Sequence, residues 1–169
     1  MSEPNLELLA CIPRLRRYAR ALVGERNGAD DLVQDTVERG WSRIGEWRRD
    51  GDMRAWLFGI MHNLHVDQMR ARRLQTTALD EDAPYPAHAA NPAARLEVRD
   101  MQTALDLLPA EQREIVLLVA LEGMSYEQVA RALDLPTGTV MSRLSRGRAS
   151  LRALMEGRGA PAASLQVIK

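Results

Sequence analysis

Residues 123–154 read GMSYEQVARALDLPTGTVMSRLSRGRASLRAL. Gly123 can close a preceding helix in the left-handed conformation that other residues avoid. Ser125 and Gln128 form an S-x-x-Q capping box, which predicts a helix starting at Tyr126 and running through Val129, Ala130 and Leu133. Asp134-Leu135-Pro136 breaks it, and Pro136 or Thr137 opens the next helix, because proline is pre-set for a first helical turn. Val140, Leu144, Gly147, Leu151 and Leu154 then fall on one face at four- and three-residue steps. A short helix, a tight turn and a second amphipathic helix make a helix-turn-helix.

The polar side of that second helix suits nucleic acid. Thr139, Ser142, Arg143 and Arg146 lie away from the apolar stripe, and an α-helix fits the major groove of DNA. Arginine can donate two hydrogen bonds to a guanine edge, while Ser and Thr adapt to several bases. Arg148 and Arg152 are better placed for phosphates, which fix register without reading sequence. A solvated basic face on a plain helical hairpin is the bland alternative. Cap, turn, core spacing and the absence of acids on this face all argue against it.

Working outward, apolar residues recur at helical spacing almost everywhere and no strand pattern of any length occurs. Leu8, Ile12, Leu15, Tyr18, Ala19 and Leu22 make one stripe, closed by Gly24. Asn27 offers an N-cap to a second helix, with Asp30 and Asp31 in its first turn and Val33, Val37, Trp41 and Ile44 on one face. A charged loop, Glu46 to Asp52, leads to a third helix packed through Leu57, Ile60, Met61 and Leu64 and ending in Arg70, Arg72 and Arg73. Gly59 inside that helix costs about 1 kcal/mol relative to Ala and marks either close packing or local give. Residues 75–94 hold three acids and three prolines with no Lys or Arg, and read as an extended acidic linker. Helical pattern resumes near Arg95, and Pro109 starts a fresh helix carrying Ile115, Val116 and Val119. The expected fold is all-α: a helical domain over 1–74, a linker over 75–94, a helix-turn-helix domain over 95–156 and a loose tail over 157–169.

Composition agrees. Hydrophobic residues make up 46% and charged residues 27% of 169, a globular balance. With only 4% aromatic residues, two small aliphatic cores are expected rather than one large core. The longest strongly apolar run, Ile115 to Leu121, is far short of the roughly 20 residues a membrane span needs. The start, Met1 to Asn5, does not look like a secretory signal, and the single cysteine, Cys11, rules out an intramolecular disulfide framework. A cytoplasmic protein is expected. Lys+Arg and Asp+Glu are 23 each, but the neutral total hides two basic stretches, at Arg70–Arg73 and Arg143–Arg152. Two separated positive surfaces predict a bipartite nucleic-acid contact.

Chemistry-bearing clusters in the first half are weaker piece by piece. Asp31, Asp35 and Glu38 share a helix face, more often a solvated or docking surface than a metal site. His62 and His65 lie one turn apart, with Asp67 beyond, but lack an H-E-x-x-H spacing, so no metal and no cofactor is expected. Trp47, Trp56 and Phe58 lie among Arg48, Arg49 and Arg54, an arrangement that single-stranded bases use for stacking and charge neutralisation. Trp56 reads better as core, whereas Trp47 is the stronger candidate for stacking.

Asp30 to Thr36 (DDLVQDT), then Arg54-Ala55-Trp56-Leu57-Phe58 leading to Asn63, Asp67 and the Arg70–Arg73 run, resembles conserved region two of bacterial sigma factors. Gly123 to Tyr126 and Gly138 to Arg148 resemble region four. With only these two regions and a short linker, the chain is similar to the extracytoplasmic-function (ECF) type of the sigma-70 family. That resemblance implies a promoter-specificity subunit of RNA polymerase with no catalytic residues of its own. It implies that Asp31, Leu32, Gln34 and Asp35 dock on the polymerase β′ clamp and that region four meets the β flap. Trp47 and Asn63 would capture a base of the minus-ten element, with Arg70, Arg72 and Arg73 on nearby phosphates. Thr139, Ser142, Arg143, Arg146 and Arg148 would read the minus-thirty-five element of promoter DNA. The acidic linker would thread the polymerase's nucleic-acid channel. The resemblance also implies an anti-sigma factor as partner, which could be membrane-associated, with no membrane insertion by this chain. Two other readings stay open: a sigma mimic or simple helix-turn-helix regulator, and, last, a small metal-dependent hydrolase using His62, His65 and the acidic helix.

Overall fold

A computed structural model describes residues 2–78 and 94–157 of the chain. Among them are seven α-helices and no strand. In the first half, α1 spans Glu3–Val23, α2 Arg26–Ser42 and α3 Met53–Ala78, with a 3₁₀ turn at Ile44–Glu46. In the second half, α4 spans Ala94–Leu107, α5 Ala110–Val116, α6 Tyr126–Leu133 and α7 Thr137–Met155. Helix α5 continues into a π-helical turn over Leu117–Leu121. Residues 79–93 of the expected linker, and 158–169 of the expected tail, lie outside the described residues.

Several expected helix boundaries need correction. Helix α2 starts at Arg26, and its cap is Glu25, whose carboxylate accepts from the backbone N–H groups of Asn27 and Gly28 at 2.7 Å each. A carboxylate reaches two amides at once, so Glu25 displaces Asn27 as cap, and Asp30 and Asp31 fall beyond the first turn. Helix α3 also runs to Ala78, past the boundary set at 74, so residues 75–78 are helix rather than linker. None of Gln75, Thr76, Thr77 and Ala78 breaks a helix, and Thr76 returns its hydroxyl to the Arg72 carbonyl at 2.8 Å. Ala94, placed in the linker, is the first residue of α4.

The predicted stripe of α1 is buried through Leu8, Leu15, Tyr18, Ala19 and Leu22, with Ile12 half-buried, and Gly24 ends the helix at φ 76°. Tyr18 meets Phe58 of α3 edge to face at 4.9 Å between ring centroids, joining the first and third helices. In the second half Ile115, Leu118, Val129, Val140 and Leu144 are almost fully buried. Two separate small cores are not what forms: the buried residues of both halves belong to one continuous cluster.

The halves meet along a polar seam as well. Glu122 follows the π-helical turn, and its side chain is fully buried. Arg17 of α1 donates to Glu122 Oε1 through Nη2 at 2.9 Å and Nε at 3.1 Å, while Arg54 of α3 donates to the Glu122 carbonyl at 2.9 Å. Glu114, also buried, lies 2.6 Å from His62 Nδ1 and accepts from the Tyr18 hydroxyl. Burial, and then Glu114, pushes the Tyr18 phenol well above its ordinary range. Arg113 donates to the Leu22 carbonyl at 3.1 Å, and Gln128 to Asp52 at 2.9 Å.

The two histidines of α3 respond oppositely to this setting. The hydrogen bond to Glu114 raises the His62 pKa against the opposing effect of burial. Burial lowers that of His65, with Glu114 opposing and His62, Arg113 and Arg72 adding to the fall. The stabilisation from His62 is therefore present in full below the ordinary histidine value and is lost as pH rises through its higher folded value. The penalty from His65 appears as pH falls below the ordinary value. NMR titration of the imidazole protons should place His62 above 6.5 and His65 below it. Glu114→Gln should lower the His62 midpoint, and a His62 that titrates below His65 would contradict the pairing.

Candidate nucleic-acid and polymerase interface

On α2, residues at helical spacing sort onto two sides. Asp31, Gln34, Asp35 and Glu38 are exposed on one, while Ala29, Leu32, Val33 and Thr36 are buried on the other. Leu32, expected on the docking surface, is 0% exposed and holds the helix to its own core. The surface α2 can offer a partner is thus acidic and polar, with Gln68 of α3 at its margin 3.5 Å from Asp35 Oδ2. Asp30 leans the other way, 3.9 Å from Arg20 of α1.

On α3, the residues grouped by sequence do not all face one way. Asn63, Asp67 and Arg70 recur at four- and three-residue steps and are exposed. Arg72 lies across the helix from them, near the start of α2, where its Nη2 would be 3.8 Å from a Cβ placed on Gly28. Arg73 is exposed at the side. The structure therefore brings Asn63 and Arg70 together and sets Arg72 apart. Trp47 is half-buried against the core, and its indole N–H has no acceptor among the described residues. This limits the aromatic surface it presents as a stacking platform. Arg54 is committed to Asp52 and, across 68 residues of chain, to the Glu122 carbonyl, a pairing that no local spacing signals.

The helix-turn-helix forms as its sequence dictates. Ser125 accepts from the Gln128 N–H at 3.1 Å and the Gln128 side chain accepts from the Ser125 N–H at 2.9 Å. Asp134 ends α6 at φ 53°, and Pro136 caps α7. Val140, Leu144 and Gly147 of α7 are buried, and a Cβ on Gly147 would lie 2.8 Å from a methyl of Val116, so α5 and α7 pack closely there. Ser142, Arg146 and Arg148 are exposed, and Thr139 is half-buried. Arg143 is half-buried and 3.5 Å from Glu111 of α5, so this guanidinium must leave a carboxylate to reach a base. Arg148 lies half-way round α7 from Thr139. It lines an open groove with Tyr126, Met141, Ser145 and Arg152, consistent with phosphate contact at the edge of a reading surface.

Comparison with known proteins agrees with this geometry. Residues 8–62 match the sigma2 domain of PhyR, and residues 99–151 match sigma-70 region 4. The ECF RNA polymerase sigma factor EcfG of Rhodopseudomonas palustris is 38% identical over 157 residues, covering 91% of this chain and 86% of that protein. This chain belongs to the ECF sigma factors. The structure of the sigma factor RpoE in complex with the anti-sigma factor NepR from Bartonella quintana is similar with a TM-score of 0.81 and 35% identity. That match covers 89% of this chain and 95% of that one. CnrH in complex with the cytosolic domain of CnrY is similar at TM-score 0.65 and 29% identity, over 89% and 85% of the two chains.

For this ECF sigma factor no three His, Cys, Asp or Glu side chains converge among the described residues as a metal site would require. No described helix is long and apolar enough to cross a membrane. The capping box offers a direct check on region four. Ser125→Ala should cost about 1 kcal/mol of stability, read as a lower urea midpoint with an unchanged slope. An unaltered midpoint would mean that α6 is held by its packing alone.

Proposed function

We propose that this ECF sigma factor docks on core RNA polymerase through Asp31, Gln34 and Asp35 of α2 and through region four on the β flap. Region two, ending with α3 at Ala78, then engages the minus-ten element through Asn63 and Arg70, with Arg73 and Trp47 at the margin of that surface and Arg72 reaching phosphate only by turning from α2. Region four reads the minus-thirty-five element through Ser142, Arg146 and Thr139, with Arg143 joining once Glu111 releases it and Arg148 on the backbone. Residues 79–93 connect the two regions along the polymerase's nucleic-acid channel, and the chain works in the cytoplasm as a promoter-specificity subunit without an active site. An anti-sigma factor holds it inactive, either soluble or anchored in the membrane. The observation that carries this reading is one chain that presents an exposed acidic face on α2 and an exposed, acid-free recognition helix. A repressor needs only the second.

A second reading has one observation in its favour: the region-two match is to PhyR, an anti-anti-sigma factor. In that reading the chain titrates an anti-sigma factor and never meets polymerase. The double substitution Asp31→Ala with Gln34→Ala separates the two. Under the sigma reading it weakens binding to purified bacterial core polymerase by at least about tenfold, roughly 1.4 kcal/mol. A parent chain that binds no polymerase favours the mimic.

The recognition helix supplies an independent check. Arg146→Ala should cost about 1–3 kcal/mol in binding to promoter duplex selected by the parent chain, with relaxed preference at one position. A uniform loss on all sequences would reassign Arg146 to phosphate contact.

A further inference from the structure

Two arginines of α7 share its reading face but not their surroundings. Arg146 is exposed, and its Nε donates to the Ser142 carbonyl of its own helix at 3.4 Å. No acid pairs with it among the described residues. The Arg143 side chain is only 26% exposed, and its Nη2 lies 3.5 Å from Oε2 of Glu111 in α5. Helix α7 carries no acid of its own between Thr137 and Met155, so this carboxylate has to come from another helix.

The crossing of α5 and α7 supplies it. Gly147 lies one turn after Arg143, and Gln112 follows Glu111. A Cβ on Gly147 would lie 3.3 Å from the Gln112 Cβ, 3.4 Å from the Gln112 carbonyl oxygen and 2.8 Å from a Val116 methyl. Without a side chain at 147 the first turn of α5 comes close to the backbone of α7, and Glu111 lies beside Arg143.

We propose that Glu111 is a specificity-determining residue of region four: it withholds Arg143 from DNA, so the base pair facing Arg143 is read less strongly than the one facing Arg146. The inference deepens the proposed reading of the minus-thirty-five element and rests on α7 being the recognition helix. An arginine that reads guanine presents two N–H donors of its planar fork to one base. Arg143 has to give up a carboxylate to do so, and the contact gains only the difference between the two partners. Arg146 gives up no acid. The Glu111 side chain is 71% exposed, and an exposed pair is weak. Its effect is therefore a tuning of about two- to fivefold rather than a block.

Two blander roles for Glu111 make different predictions. As an acid in the first turn of α5, where Pro109 gives no side-chain cap, it suits the helix dipole. As a negative charge beside DNA it repels phosphates on every sequence alike, an effect that fades with salt. Neither role singles out one base pair. Withholding Arg143 does, and it needs the reach of the glutamate chain as well as its charge.

The test uses the full chain, with and without purified bacterial core polymerase, on promoter duplexes varied one base pair at a time through the minus-thirty-five element. Arg143→Ala and Arg146→Ala each mark the base pair that the arginine reads. Glu111→Gln removes the charge at nearly constant shape. Glu111→Asp keeps the charge in the first turn but draws the carboxylate back by one methylene. Both should raise the preference at the Arg143 base pair about two- to fivefold and leave the Arg146 base pair as in the parent. In an Arg143→Ala background neither should change any preference.

A lowered preference at the Arg143 base pair would show Glu111 aligning the guanidinium, and would overturn the proposal. An Asp variant that behaves as the parent, beside a Gln variant that does not, would assign the effect to charge alone and overturn it too. So would a lower urea midpoint with unchanged preference, which leaves Glu111 to the helix dipole, and so would an Arg143→Ala chain that loses preference nowhere. A chain that selects duplex but never binds polymerase would remove the sigma reading, while the Glu111 comparison is still decided on that duplex. A chain that selects no duplex in either form would remove both.

Discussion

A fully buried carboxylate, Glu122, is the constraint around which the two halves are arranged. Taking such a group out of water is costly unless charge and hydrogen bonds replace the lost solvent. The two nitrogens that bond Glu122 Oε1 come from Arg17, more than a hundred residues earlier. Glu114 is placed similarly, with His62 and Tyr18 as partners. Region four as folded here thus presents two acids whose best-satisfied state is against region two. The apolar cluster running through both halves adds area to that contact, but the acids specify its register.

The same constraint explains why some of the structure was legible in the sequence and some was not. The helix-turn-helix was legible because its determinants are local: Ser125 and Gln128 are three residues apart, and Asp134 and Pro136 mark the turn. The α1 stripe and the Gly24 stop were legible for the same reason. Glu25 was missed because capping statistics favour the short side chains at Asn27 and say little about a longer carboxylate reaching two amides. The end of α3 was set too early because the basic run resembles a helix terminus, whereas nothing after it interrupts the helix. The seam was invisible because its bonds join residues 52–105 positions apart on the chain. Gly59, against Ala132 of α6, was its one trace. A glycine with no local purpose inside a helix signals another backbone, although sequence alone could not say which.

For the interface residues, spacing fixed helix and side but not commitment. Asp31, Asp35 and Glu38 were grouped by spacing, and all three are exposed on one face of α2. Gln34 and Leu32 joined Asp31 and Asp35 through motif resemblance, and periodicity alone would have excluded Leu32, since it lies on the side of Val33 and Thr36. Arg72 was grouped with Arg70 and Arg73 as a charge run, yet a run on a helix necessarily points in several directions. Arg143 and Arg54 show the further limit that a cation's use depends on which acid the fold brings near it.

Charge distribution links these observations to function. A chain with 23 basic and 23 acidic side chains has no net pull toward DNA. Its affinity depends on which acids are withdrawn from the surface and which cations are left free. The seam buries Glu114 and Glu122 and also ties up Arg17 and Arg54, so it barely alters the charge balance of the surface. Glu114 and Glu122 lie on α5 and just after the π-helical turn, whereas Glu111 lies beside Arg143 of α7. An acidic face on α2 and a recognition helix free of acids coexist in one neutral chain because the charges are sorted by helix face rather than by half.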